Sequence, residues 1–276
     1  MLETQAIKEG NQIDEGFLLC QKCNLVFPII GQVAIMWDDF ENYLTNRPRL
    51  GGQLLLMAKT DKVKSFVRQT LGKITKNLQD QSIIEKRWFE IYSHNKNSRF
   101  YSVIRKSLER IRSGNVLEHG CSIGHITKYL AGTNSIAFGI DKSFYAISEA
   151  KKSAPDNVDF FIADSIDHPF GKSRFDTVVA LNLFELIEPK LLLKTLAGQV
   201  RKGGYLVLSD PYDFIRGTKS VKEPLYEESV RAELKKQGFT ISKNTKTPSY
   251  IPWNLRLHKR AVLQYRVDLV VGKLLQ

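Results

Sequence analysis

Cysteine, long apolar runs and acidic residues are all scarce in this chain, and each scarcity removes a class of protein. The 276 residues hold three cysteines, Cys20, Cys23 and Cys121, too few and too unevenly spaced for a secreted disulfide framework. The longest apolar stretch of the first third, 17–36, is interrupted by Gln21, Lys22, Asn24, Pro28 and Gln32, so it cannot cross a bilayer as a helix. Residues 1–16 are polar and acidic, where a secretory leader needs a basic flank and an apolar core. Together these absences predict a cytoplasmic protein without a membrane span. Acidic residues number 29 against 41 lysines and arginines, a formal charge of +12. That surplus favours anionic partners such as phosphorylated or carboxylated metabolites, nucleic acid or acidic lipid, although a solubilising surface has the same composition. At 42% hydrophobic residues the chain can bury a substantial core.

A second metal-ligand pair is missing as well. Cys20 and Cys23 make one C-x-x-C, followed by Leu25-Val26-Phe27-Pro28-Ile29-Ile30-Gly31. A tetrahedral structural zinc takes four ligands, commonly two such pairs. The five histidines, at 94, 119, 125, 168 and 258, all lie outside this segment, and no metal site is predicted. Residues 1–46 thus read as a small unit of their own, resembling half of a zinc-ribbon-like module. A metal-free β-ribbon, a zinc shared between two chains and a redox pair are its three open readings.

Residues 47–112 read as a helical linker and cap. Val63, Val67, Leu71, Ile74 and Leu78 recur at spacings of four and three, drawing one apolar stripe. Lys59, Lys62, Lys64, Arg68, Lys73 and Lys76 surround that stripe against a single Asp61. Such a helix packs on its own domain with a solvated basic face, or lies on phosphates or a membrane surface. Two more helices, 85–92 and 98–112, lead into the first strand of the domain that fills the rest of the chain. Trp88, Tyr92 and Tyr101 on them can line a site or fill a core.

What is present from 113 to 276 is an alternation of strands and helices. The run Val116-Leu117-Glu118-His119-Gly120-Cys121-Ser122-Ile123-Gly124 is a strand ending in a carboxylate and then a glycine-punctuated turn, which lets the main chain approach a ligand closely. Acidic or amide residues then close each later apolar run: Asp141 after 135–140, Asp164 after 158–163 and Asn182 after 175–181. Asp141 stands at the distance from the glycine turn at which a ribose diol is gripped in nucleotide-binding folds. The alternation predicts an α/β fold, a parallel sheet covered on both faces. Strands are predicted near 115–118, 136–140, 158–162, 175–181 and 205–209, with two more from 238–242 and 257–271 and a loop at 247–256.

In this order, these residues resemble class I S-adenosylmethionine-dependent methyltransferases, most closely the ubiquinone-biosynthesis-like subgroup acting on small molecules. The resemblance covers 88–276. It implies a Rossmann-like, doubly wound seven-stranded sheet with an antiparallel last strand, and S-adenosyl-L-methionine as cofactor. Glu118, Gly120 and Gly124 match the acidic residue and glycines of the family's turn; Ser122 replaces its middle glycine. By the resemblance, Asp141 holds the ribose hydroxyls and Asp164 with Ser165 faces the adenine, with Cys121 and Asn182 in the same cofactor-binding set. The stretch 201–208 resembles the family's turn into its fifth strand.

Methyl transfer from a sulfonium needs alignment and exclusion of water more than a dedicated base, and acceptors bind outside the carboxyl ends of the strands. The candidates for catalysis there are Glu185, after the fourth strand, and Asp210 and Tyr212, after the fifth. Trp253 and Arg256, with His258, form an aromatic and basic group suited to an anionic acceptor. The tetrad N/D-P-P-Y/F, found in enzymes that methylate base amines, is absent: the chain reads Asn182-Leu183-Phe184-Glu185. Where the small-molecule subgroup often has histidine after glutamate, Leu186 stands. The expected activity is methylation of nitrogen or oxygen on a small polar or anionic metabolite. An RNA methyltransferase and an inactive cofactor-binding partner subunit are the rival readings, and oligomeric state is left open.

Overall fold

The computed structural model describes residues 2–9, 12–74, 79–109, 111, 114–132, 135–168, 170–215 and 221–275. Lys76 and Leu78 of the basic stripe, with Arg112 and Pro169, lie outside the described residues. Four strands open the chain: β1 (Leu2–Glu9), β2 (Gln12–Leu19), β3 (Val26–Ile30) and β4 (Val33–Ile35). Five helices follow, α1 (Phe40–Thr45), α2 (Pro48–Met57), α3 (Asp61–Lys73), α4 (Gln81–His94) and α5 (Arg99–Leu108). Strand and helix then alternate through β5 (Gly114–His119), α6 (His125–Leu130), β6 (Ser135–Asp141), α7 (Phe144–Lys151), β7 (Val158–Ile162), β8 (Phe175–Leu181), α8 (Pro189–Gln199) and β9 (Val200–Asp210). The remainder is α9 (Glu227–Lys236), β10 (Phe239–Ile241), β11 (Ile251–His258) and β12 (Ala261–Leu274).

These strands make one sheet in the order β1-β2-β3-β4-β7-β6-β5-β8-β9-β12-β10, with β11 paired to β12. From β7 to β10 it is the doubly wound, Rossmann-like seven-stranded sheet. Strands β7, β6, β5, β8 and β9 are parallel, and β12 runs antiparallel to both β9 and β10. The parallel strands are apolar along their length because helices cover both faces. The chain starts at β5, steps out to β7 and returns to β8, so the switch point lies between the carboxyl ends of β5 and β8.

Two cores result, one on each face. The first holds Leu44, Leu54, Val67, Phe100, Ile104 and Ile147 from α1 to α7; the second holds Leu192, Leu196, Val230 and Leu234 from α8 and α9. The opening ribbon contributes to both, since Ile30, Val33 and Ile35 enter the first core while Phe27, Ile29 and Ala34 enter the second. Its β4 pairs in parallel with β7, Ala34 against Phe161 and Ile35 against Ile162. The segment that reads as a unit of its own is therefore hydrogen-bonded into the main sheet.

The basic helix docks on this ribbon. The Thr60 hydroxyl caps α3 by accepting from the Val63 N–H at 3.3 Å, as expected of an N-cap threonine. Glu15 of β2 accepts from the N–H groups of Lys59 and Thr60 at 2.5 and 2.7 Å, and Val63 and Val67 are buried. One expected loop is a strand instead. Within 247–256, Ile251, Trp253 and Leu255 alternate inward as part of β11, which among the described residues pairs on one side only. An edge strand tolerates Pro252, so the proline that suggests a loop is compatible with pairing there.

Candidate functional site

The carboxyl end of β5 is held by strained backbone. Gly120, Ser122 and Gly124 have φ of +63°, +48° and +71°, a left-handed conformation free to glycine and costly to serine. A Cβ on Gly120 would lie 2.6 Å from Leu183, and one on Gly124 would meet the Phe160 ring, with Cε1 at 2.5 Å. Buried Glu118 accepts a short hydrogen bond from the Thr127 hydroxyl of α6, tying strand to helix. Burial pushes its carboxyl up to about 8. Cys121 is buried, and its N–H donates to the Ile140 carbonyl at 2.9 Å.

Asp141 closes β6 and bridges two loops. It accepts from the Ser122 N–H at 3.0 Å and the Ser143 N–H at 2.8 Å, one on each oxygen. Burial raises its carboxyl while these two donors oppose the shift. At the end of β7, Asp164 accepts with Oδ1 from the N–H groups of Ile166 and Asp167, and Ser165 beside it is buried.

Asn182 and Tyr212 have φ of +59° and +56° at the ends of β8 and β9. With Ser122, they account for three of the six non-glycine residues of positive φ among the described residues, and all three stand on one edge of the sheet. Strained backbone of this kind collects where loops must converge on a ligand. The Asn182 side-chain oxygen accepts from the Ser209 hydroxyl at 2.9 Å. Asp210 is buried and accepts from the N–H groups of Phe184 and Tyr212 at 2.9 and 2.8 Å, joining the loops after β8 and β9. Burial, with Glu185 and Asp213 nearby, pushes its carboxyl up to about 7. The Tyr212 hydroxyl donates to Asp268 at 3.1 Å. Buried Asp268 in turn takes two guanidinium bonds from Arg231, at 2.6 and 3.0 Å. Asp210 and Tyr212 are thus embedded in a hydrogen-bonded frame behind the loops, and Glu185 stands half-buried on the first of them. Arg231 and Asp268 escaped sequence reasoning. The available signal was a carboxylate inside the apolar run Val267 to Val271.

Helices α4 and α5 and the β11–β12 hairpin cover this edge. Because Asp268 of β12 pairs with Asp210 at the end of β9, the residues of β12 before it project past the carboxyl ends of the parallel strands. Trp253 is only 4% exposed; its ring stacks on Tyr92 at 6.1 Å and Tyr265 at 5.8 Å and meets Phe100 at 5.1 Å. It packs the hairpin onto the helices, while Arg256 further along the strand is exposed. The Tyr101 ring lies 5.1 Å from His125, the first residue of α6. Among the described residues no group of three or more metal-ligating side chains is assembled, and no helix is long and apolar enough to cross a membrane.

Residues 117–208, running from β5 to β9, match the family model described as a methyltransferase domain. The chain carries a methyltransferase domain. An uncharacterized methyltransferase from Anoxybacillus flavithermus is 28% identical to this methyltransferase over 158 residues, 54% of this chain and 69% of the relative. An O-methyltransferase from Penicillium expansum is 31% identical over 102 residues, 34% and 37% of the two chains. Among solved structures, magnesium protoporphyrin IX methyltransferase from Synechocystis PCC 6803, solved with bound SAH, aligns with a TM-score of 0.50 at 17% identity. The alignment covers 71% of this chain and all of that one (100%). A chain from the complex of the Haloferax volcanii Trm112 methyltransferase activator with a methyltransferase aligns with a TM-score of 0.53 at 16% identity, covering 71% and 96%.

S-adenosylmethionine is the methyl donor of this enzyme, and the carboxyl edge fits it. Each Asp141 oxygen spends one lone pair on a backbone N–H, which leaves one per oxygen for a pair of ribose hydroxyls. Asp164 uses Oδ1 for its own turn, leaving Oδ2 as an acceptor. The turn from Gly120 to Gly124 brings bare backbone to the start of α6, where a helix N-terminus favours a carboxylate.

Proposed function

We propose that this methyltransferase moves a methyl group onto a nitrogen or oxygen of a small polar, anionic acceptor. The observation that carries the reading is the covered carboxyl edge, where the loops after β5, β8 and β9 meet beneath α4, α5 and the β11–β12 hairpin. When bound, S-adenosylmethionine supplies a methyl group on a sulfonium that departs without acid assistance. The protein's task is to orient an acceptor lone pair in line and keep water out.

Asp141, with Asp164 and Ser165, orients the donor, and the Gly120–Gly124 turn sets its depth. Glu185 is the group suited to take up the acceptor's proton, since it stands on the loop after β8 next to Asp210. Asp210 and Tyr212 act as positioning residues: the first clamps the N–H groups of Phe184 and Tyr212, and the second anchors its loop to Asp268. Asn182-Leu183-Phe184-Glu185 offers no paired prolines and aromatic to grip a base amine, which supports a metabolite over RNA. Labelled S-adenosylmethionine incubated with metabolite and RNA pools tests the reading. Label is expected in a small acidic product, with Glu185→Gln slowing turnover at unchanged affinity for S-adenosylhomocysteine. Label found solely in one defined RNA, at a rate indifferent to Glu185→Gln, would reverse it.

A further inference from the structure

A groove of 1120 Å³ runs between α4, the start of α5 and β11. Its lining includes Arg87 and His94 of α4, Arg99 of α5, Arg256 and His258 of β11, and Lys259 just beyond that strand, and all six are exposed. One carboxylate, Glu90, shares the groove. Among the described residues none of the four permanent cations has an ion-pair partner. Elsewhere Arg47 pairs with Glu85, Lys59 with Asp14 and Arg231 with Asp268. The walls are fixed, because the Asn95 amide donates to the Arg256 carbonyl at 3.1 Å and accepts from the Arg256 N–H at 2.9 Å. At one side Ser98 precedes α5 without capping it, and its hydroxyl oxygen is buried with no hydrogen-bond partner among the described residues. The first N–H groups of α5 therefore add donors to a cationic wall.

The groove adjoins the donor site. Tyr101, one helical turn beyond Ser98, touches His125 at the head of α6, immediately after the glycine turn. The volume exceeds what one carboxylate fills, and guanidinium forks from three separate segments suit the several oxygens of phosphate groups.

We propose that this groove binds the phosphate-bearing portion of the methyl acceptor, a refinement that rests on the acceptor reading above. Calorimetry with two probes, tripolyphosphate and a single-stranded RNA octamer, tests it on the full chain. The double variant Arg99→Glu/Arg256→Glu should weaken one or both probes by about tenfold or more, since it reverses two charge-assisted contacts. A control pair on α3, Lys62→Glu/Arg68→Glu, should leave both affinities unchanged, and both double variants should melt with the parent and keep its affinity for S-adenosylhomocysteine. Tripolyphosphate bound as tightly as RNA, phosphate for phosphate, identifies a small phosphoester; RNA bound far more tightly identifies a strand. Both support the groove as a phosphate site, and the second overturns the small-acceptor reading. Equal losses from the groove and control pairs, or no loss from the groove pair, overturn it. An unaffected groove variant that still labels a small acidic product would leave the acceptor reading standing without this site.

Discussion

Two substitutions in the turn after β5 should move stability in opposite directions. Ser122 holds φ at +48°, where an L-residue costs about 1–2 kcal/mol. Ser122→Gly removes that cost and gives back about 0.5–1 kcal/mol in unfolded-chain freedom, for a net gain of roughly 0.5–1 kcal/mol. Gly124→Ala incurs the same left-handed cost at φ +71°. Its methyl also strikes Phe160, which is 0% exposed, and comes within 3.2 Å of Ala150 Cβ. Overpacking of this kind costs about 1–3 kcal/mol and the alanine returns about 0.5–1 kcal/mol in unfolded-chain freedom, so the total loss is roughly 1.5–4 kcal/mol. Urea unfolding followed by far-UV circular dichroism reads both, with midpoint shifts at constant slope as the signature. Phe160→Leu in the Gly124→Ala background should return the packing part and leave the conformational part. If Gly124→Ala unfolds at the parent's midpoint, the left-handed turn packed on Phe160 is not what sets the geometry of the donor site.

Asp141→Ala should weaken S-adenosylhomocysteine by about 1.5–3 kcal/mol in calorimetry, the scale of hydrogen bonds to a charged group; unchanged affinity removes the ribose assignment. Asp268→Ala should cost about 3–5 kcal/mol of stability, because it strands the buried Arg231 guanidinium. Tyr212→Phe, which loses one hydrogen bond, should cost only about 1 kcal/mol, and equal costs would refute the ranking. Glu118 and Asp210 have folded values raised to about 8 and about 7 from 4.5 and 3.8, so their stabilising share is complete below the unfolded values. That share is lost as pH rises through the folded ones. Thermal unfolding from pH 5 to 8 should show the parent losing more stability, or gaining less, than Glu118→Gln as pH rises, since buried His119 titrates alike in both; identical slopes would contradict the burial of the Glu118 carboxyl.

The alternation of strands was legible because it is local. Apolar runs end in Glu118, Asp141, Asp164 and Asn182, and each ending falls on the carboxyl edge, so one pattern reveals strand, turn and edge together. What escaped depends on partners distant in the chain. Nothing near Val33, Ala34 and Ile35 says that three residues will pair with β7. Pro252 suggests a loop until β11 is seen to be an edge strand. Depth is equally invisible: Trp253 suits a substrate mouth by type, yet it is stacked between Tyr92 and Tyr265. The groove cations were half legible, since Arg256 and His258 stand close in sequence while Arg87 and Arg99 reach them only through the packing of α4 and α5 on β11.

The pairing of β4 with β7 has a consequence for biosynthesis. The ribbon leaves the ribosome before β7 does, and the edge that receives Ala34 and Ile35 exists only once Phe161 and Ile162 have been made. At roughly 5–20 residues per second the nascent chain must carry those strands for several seconds or longer with their inward side chains unhoused. Contacts so far apart in sequence also slow the final search. Cells starved of chaperones should therefore accumulate this protein as aggregates seeded by its first strands, and slower translation should lengthen that exposure.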